Sequence, residues 1–223
     1  VLILALDGAT AQPSIALWRD GVTLAALRQS SAEPGSTMKS DALPLRAEAL
    51  LAQAGLAFAA LDRLAVTIGP GRFTGLRAGL AFMRGLALAL GAPLIGVTTL
   101  EALRPRRRAA PGEVTLACIG SGRAELFFAI DDGPAFACLP ADLEGHLPRD
   151  AAVAVVGEET EAVAAALVAQ GRTARAVPCA VDAADVAALA ATRAPPAASP
   201  GPLYIHPPAV TAPRPRLRAA PVA

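Results

Sequence analysis

The stretch Gly69-Pro70-Gly71-Arg72-Phe73-Thr74-Gly75-Leu76-Arg77-Ala78-Gly79 constrains this chain more than any other part of it. An apolar run with β-branched members, Leu64 to Ile68, precedes it, and a helical pattern follows it to a stop at Gly91 and Pro93. Glycines on either side of a proline make a rigid turn whose backbone can approach a neighbour closely. Thr74 is placed to cap the following helix. Two roles fit the turn: a docking joint between helix and sheet, or an anion contact through the N–H groups at the helix start, involving Gly69, Gly71, Thr74 and Gly75.

The remaining pattern is α/β throughout. Val1 to Leu6 reads as a buried strand, and Ser14–Trp18 and Val22–Leu27 flank Asp20-Gly21, a two-residue hairpin signal. A helix is expected from Asp41 to Ala54, capped by Asp41 with Pro44 in its first turn. Leu43, Ala47, Leu50, Leu51 and Ala54 form its apolar stripe. A strand at Leu94–Val97 leads to a short helix from Thr98 or Thr99. Pro105, Arg106-Arg107-Arg108 and Pro111-Gly112 then mark a boundary. Beyond it, strands are expected at Val114–Ile119, Glu125–Ile130, Val153–Val156 and Arg175–Val177, and helices at Glu158–Ala169 and Ala183–Ala191. The segment from Ala194 is proline-rich, with Leu203-Tyr204-Ile205 as the one ordered-looking piece. Two α/β lobes follow, residues 1–104 and 105–223 with the proline-rich tail.

The Thr74–Leu90 helix is apolar almost all round, broken only by Arg77 and Arg84. A surface helix needs one apolar stripe, so this one is expected to be covered on more than one side. Either it is a central core helix or its second face meets another chain. Leu76, Leu80 and Met83 are then candidates for that contact. The Ala78–Leu90 portion is too short, and with Arg84 too charged, to span a bilayer. The N-terminal apolar run has no basic region before it and ends at Asp7, which does not read as a signal peptide.

Net charge is +1, so no global field recruits nucleic acid or anionic lipid. Cys118, Cys138 and Cys179 are odd in number and widely spaced, reading as buried thiols of a reducing compartment. Asp7-Gly8-Ala9-Thr10, at a strand end, could hold phosphate and its magnesium through Asp7, Gly8 and Thr10, or could simply cap its own turn. His146 and His206 are far apart, with no metal-binding spacing and no nucleophile elbow, so neither a metal nor another cofactor is expected. Arg104 with Arg106, Arg107 and Arg108, and Arg214, Arg216 and Arg218, are basic clusters without aromatic interleaving, read as a solvated linker and a frayed tail rather than RNA contacts.

The Gly-Pro-Gly-x-Phe-Thr-Gly-x-Arg stretch, the opening Ile3-Leu4-Ala5-Leu6-Asp7 and the run Pro93-Leu94-Ile95-Gly96-Val97-Thr98-Thr99-Leu100-Glu101 resemble the TsaB (YeaZ) family. Beyond Arg104 the likeness thins to Arg123-Ala124-Glu125-Leu126-Phe127 and Pro202-Leu203-Tyr204. The resemblance implies two ribonuclease-H-like lobes of the actin-like ATPase superfamily, with M22 glycoprotease-like ancestry. It implies a cytoplasmic, noncatalytic subunit that pairs with TsaD, or with itself as a homodimer, through the first two long helices. With TsaE, such a complex modifies tRNA position 37 to N6-threonylcarbamoyladenosine, so contact with tRNA is indirect. The interface residues so implied are Leu43, Ala47, Leu50, Leu76, Arg77, Leu80, Met83 and Arg84, and Leu80→Asp or Met83→Asp should break the pair while sparing the fold. An ATP-dependent phosphotransferase using Asp7 and Thr10 is the alternative, and a glycoprotease-type metallopeptidase the weakest reading.

Overall fold

In the computed structural model, which describes residues 1–29, 42–106 and 110–205, strand β1 (Leu2–Asp7) is buried at every position. A strand apolar on both faces belongs in the middle of a sheet covered on both sides. β1 pairs antiparallel with β2 (Ser14–Arg19) and parallel with β4 (Arg63–Thr67). β3 (Val22–Arg28) and β5 (Leu94–Val97) form the edges, giving the order β3-β2-β1-β4-β5. The Asp20-Gly21 turn joins β2 to β3, with Asp20 and Gly21 both at positive φ.

The second sheet repeats this plan. β6 (Glu113–Gly120), β7 (Leu126–Ile130) and β8 (Phe136–Cys138) form an antiparallel meander. β9 (Ala152–Gly157) and β10 (Ala174–Pro178) add in parallel on the other side of β6, so the order is β10-β9-β6-β7-β8. β6 thus stands in its sheet as β1 stands in the first. The chain is built of two mixed sheets of matching strand order, each flanked by helices, as the residue pattern implies.

Alternation along β1 separates two cores. Leu2, Leu4 and Leu6 pack with α1 (Leu43–Gln53) and α2 (Phe73–Leu90). Ile3 and Ala5 face the opposite way, into a cluster shared with Ala117, Ile119, Phe127 and Val156 of the second sheet and with α4 (Ala183–Ala191). The outer face of the second sheet packs on α3 (Thr160–Ala169). Helix α4 follows the second lobe in sequence yet lies against the first sheet. Arg28 ties it there, donating to the Val181 carbonyl at 2.7 Å and pairing with Asp182 at 2.9 Å.

Several expectations shift. Thr74 does not cap α2: the helix begins at Phe73, its N-cap is Arg72, and no side chain caps it. The cap must precede the first helical residue, and there the Arg72 N–H donates to the Ala9 carbonyl at 2.7 Å instead. Asp41 lies outside the described residues; α1 starts after Ala42 without a side-chain cap, Pro44 sitting in its first turn. The segment after Thr99 is a 3-10 helix, Glu101–Arg106, with Pro105 inside it. β8 and the 3-10 helix Pro140–His146 are additions to the expected elements. Leu203-Tyr204-Ile205 is neither helix nor strand, although the Leu203 N–H donates to the Ile68 carbonyl at 2.6 Å.

Candidate functional site

The turn after β1 meets the N-terminus of α2 at van der Waals limits. A Cβ on Gly75 would lie 2.2 Å from the Gly8 carbonyl oxygen, and one on Gly71 2.3 Å from the Ala9 carbonyl oxygen. Such distances exclude any side chain without backbone movement. Gly71 and Gly75 therefore form the joint between helix and sheet, one of the two roles open to the turn. Gly69 is at the other end of the turn, its carbonyl accepting the Thr99 N–H at 2.9 Å.

Asp7 is wholly buried, and its carboxylate serves this same joint. It accepts hydrogen bonds from the Ala9 N–H at 3.0 Å, the Thr67 hydroxyl at 2.8 Å and the Thr10 hydroxyl. Thr67 in turn accepts the Gly8 N–H at 3.3 Å. The turn's first N–H groups are thus taken up internally. Burial pushes the Asp7 carboxyl above its ordinary value, against the lowering effect of those hydrogen bonds, and the nearby Glu158 charge adds to the rise. A carboxylate to orient water on a metal must be ionised and reachable. Asp7 is enclosed and committed, and acts as a staple between β1 and β4.

Glu158 has only the place of a helix-start acid in the sequence reading. It follows β9 and reaches the turn after β1, accepting the Ala11 N–H at 2.9 Å and the Gly120 N–H at 3.1 Å. The sequence signal was an acid directly after Gly157 at a strand end. The helix starts beyond it, at Thr160.

The second candidate surface is the outside of α2. Leu76 (1% exposed), Leu80 (3%) and Met83 (0%) are buried in the lobe's own core, with Leu43, Ala47 and Leu50 of α1. Burying a side chain of this size stabilises by about 1.5–3 kcal/mol. As surfaces for a partner these six positions are corrected: they face the sheet, and an Asp at Leu80 or Met83 would break the fold first. The exposed residues include Phe73, Arg77, Ala81, Arg84 and Leu88, spaced by three or four and so on one helical line, with Thr74, Gly85 and Ala89 next to it. Leu88 is 86% exposed. α2 has 18 residues at a mean hydropathy of 1.3, long and apolar enough by composition to cross a bilayer, since it begins five residues before Ala78. Here its inner stripe packs on the first sheet and its two arginines lie outside.

Both arginines hold the chain's own C-terminal strap. Arg84 donates to the Pro200 carbonyl at 2.6 and 3.1 Å, and Arg77 to the Tyr204 hydroxyl at 3.0 Å. The Arg77 guanidinium also lies 4.4 Å from the centre of the Phe73 ring, and Phe73 stands 5.8 Å from Tyr204. Sequence reasoning missed this cluster, because nothing local links Tyr204 to Phe73.

The basic linker is partly ion-paired rather than solvated. Arg104 pairs with Asp132 at 2.9 Å and Glu101 at 3.3 Å, and Arg106 with Asp185 at 2.6 Å and Asp182 at 3.2 Å. Arg107, Arg108, His206, Arg214, Arg216 and Arg218 lie outside the described residues. His146 stacks on Phe136, ring centroids 4.5 Å apart. Among the described residues no three His, Cys, Asp or Glu side chains converge as metal ligands would.

The family model TsaD, tRNA N6-adenosine threonylcarbamoyltransferase, matches residues 36–188. The chain belongs to this family. Within the family it is similar to TsaB: the tRNA threonylcarbamoyladenosine biosynthesis protein TsaB of Escherichia coli is 33% identical over 162 residues, 72% of this chain and 61% of that protein. The chain thus matches somewhat under two thirds of that relative's length. A tRNA N6-adenosine threonylcarbamoyltransferase of Jannaschia sp. is 46% identical over 69 residues, 30% of this chain and 19% of that enzyme. Among solved structures, YeaZ from Pseudomonas aeruginosa superposes with a TM-score of 0.67 at 26% identity, covering 86% of this chain and 92% of that one. A Pseudomonas aeruginosa protein described by its similarity to peptidase YeaZ gives a TM-score of 0.71 at 24% identity over 92% of this chain and 99% of that one, which shows the shared fold.

Proposed function

We propose that this chain is a noncatalytic, cytoplasmic subunit in the formation of N6-threonylcarbamoyladenosine on tRNA. It docks a TsaD-type transferase through the outer faces of α1 and α2, TsaE completes the assembly, and tRNA is met through the complex. One observation carries the reading: α2 leaves Leu88 86% and Phe73 43% exposed on its outer side, and α1, which packs against it, leaves Leu45 67% exposed. A partner docking on these faces would cover all three side chains. Phe73 and Arg77 add the aromatic and guanidinium groups that anchor interfaces. In the partner's absence a second copy of this chain occupies the same faces as a homodimer.

The phosphotransferase reading loses its acid. Asp7 is buried with both oxygens occupied, and burial disfavours its charged form. The test is reconstitution: TsaD, TsaE, the threonylcarbamoyl-AMP synthase and tRNA are combined with and without this chain. Modified tRNA is expected only when it is present, and Asp7→Asn, if folded, is expected to support the reaction as well as the native chain does. Loss of modification with folded Asp7→Asn, or full modification without the chain, would contradict the reading.

A further inference from the structure

Ala11 lies in the turn between β1 and β2, and Gly120 ends β6 at the turn toward β7. Because β6 is the counterpart of β1, these are corresponding turns of the two lobes. Their main-chain N–H groups converge on one carboxylate, Ala11 on Glu158 Oε1 at 2.9 Å and Gly120 on Oε2 at 3.1 Å. Main-chain N–H groups gathered on an oxyanion are how turns hold phosphate. Here the oxyanion belongs to the chain itself.

The backbone around Glu158 is shaped to present it. Gly157 has φ +123°, and a Cβ there would stand 2.2 Å from the Cys118 carbonyl oxygen. That same carbonyl accepts the Glu158 N–H at 2.9 Å, while the Gly157 carbonyl accepts the Cys179 N–H at 3.0 Å. Glu159, the next residue, is a non-glycine at φ +56°. Unusual backbone on both sides of one side chain points to a position fixed by its role.

We propose that Glu158 is a built-in anion: its carboxylate fills an oxyanion position shared by the two turns, ties them together, and excludes phosphate and nucleoside polyphosphates from that position. The proposal rests on the noncatalytic reading of the β1 turn, but not on the docking face. A tethered carboxylate competes at high effective concentration, so a free anion must displace it before it can bind.

The test compares the native full-length chain with Glu158→Ala and Glu158→Gln by amide hydrogen exchange, with inorganic phosphate as the probe. Exchange at Ala11 and Gly120 should speed up by about tenfold or more in Glu158→Ala while Val66, inside β4, keeps its protection. Millimolar phosphate should restore protection in that variant and leave the native chain unchanged. Glu158→Gln, which retains one neutral acceptor, should exchange between the two, and it decides the matter if Glu158→Ala does not fold. Equal exchange at both amides in native chain and variant, no effect of phosphate on folded Glu158→Ala, or phosphate binding to the native chain as tight as to the variant would overturn the proposal. Failure of docking with this exchange pattern intact would instead remove only the partner assignment.

Discussion

Gly8 and Gly75 meet backbone to backbone: a Cβ on Gly8 would lie 2.6 Å from the Gly75 carbonyl oxygen, and one on Gly75 2.2 Å from the Gly8 carbonyl oxygen. The β1 turn and the first turn of α2 are thereby locked as one unit. Gly75→Ala should destabilise the chain by about 3 kcal/mol, the range of a forced core rearrangement. Gly85, on the same helix with open space where a Cβ would be, is the control. Gly85→Ala should stabilise by about 0.5 kcal/mol, by reducing the freedom of the unfolded chain. Urea unfolding of both variants checks the contrast, and equal effects would contradict it.

Asp7 gives a pH signature. Its carboxyl is raised above the ordinary 3.8, chiefly by burial. The native state then holds that proton more tightly than the unfolded chain, so its stability falls as pH rises from the ordinary value through the raised one. Asp7→Asn carries no such proton. The stability of Asp7→Asn relative to the native chain should therefore climb as pH rises above the ordinary carboxyl value of 3.8, and fall back on acidification. Denaturant titrations across that range test the sign, and a difference that does not vary with pH would contradict it.

The thiols should react in order of burial. Cys118 and Cys138 are buried and Cys179 half-buried. Burial pushes all three up, Cys138 to about 11. The thiolate is the reactive form. At neutral pH a maleimide should modify Cys179 first and reach Cys118 only on unfolding, with mass spectrometry of the digested chain as the readout. Labelling of Cys118 as fast as Cys179 would contradict the packing.

The strand and helix order was legible because each element is locally consistent. The continuous apolar run of β1, the Asp20-Gly21 turn and the Gly91 stop of α2 all act over a few residues. The doubling of the fold was legible only as element order, since sheet order depends on pairings that no single segment encodes. The functional surface was harder to read. An all-round apolar α2 says that two faces need explaining, but not which residues face the sheet, and Leu80 and Met83 fell on the inner side. Glu158 was hidden because its meaning depends on Ala11, 147 residues away. The Tyr204 contact with Arg77 spans 127 residues and is equally invisible locally.

The docking account is tested most directly by measuring association with the TsaD-type transferase of the same organism, by size exclusion with light scattering and by calorimetry. Leu88, 86% exposed, is the position to change, and Met83, fully buried, is its internal counterpart. The account predicts that Leu88→Asp leaves the unfolding temperature unchanged and weakens the complex by about tenfold or more. Met83→Asp should fail to fold, because it buries an unpaired charge. A native chain that forms no complex with the transferase, or a Leu88→Asp chain that binds it as tightly as the native one, would contradict the account.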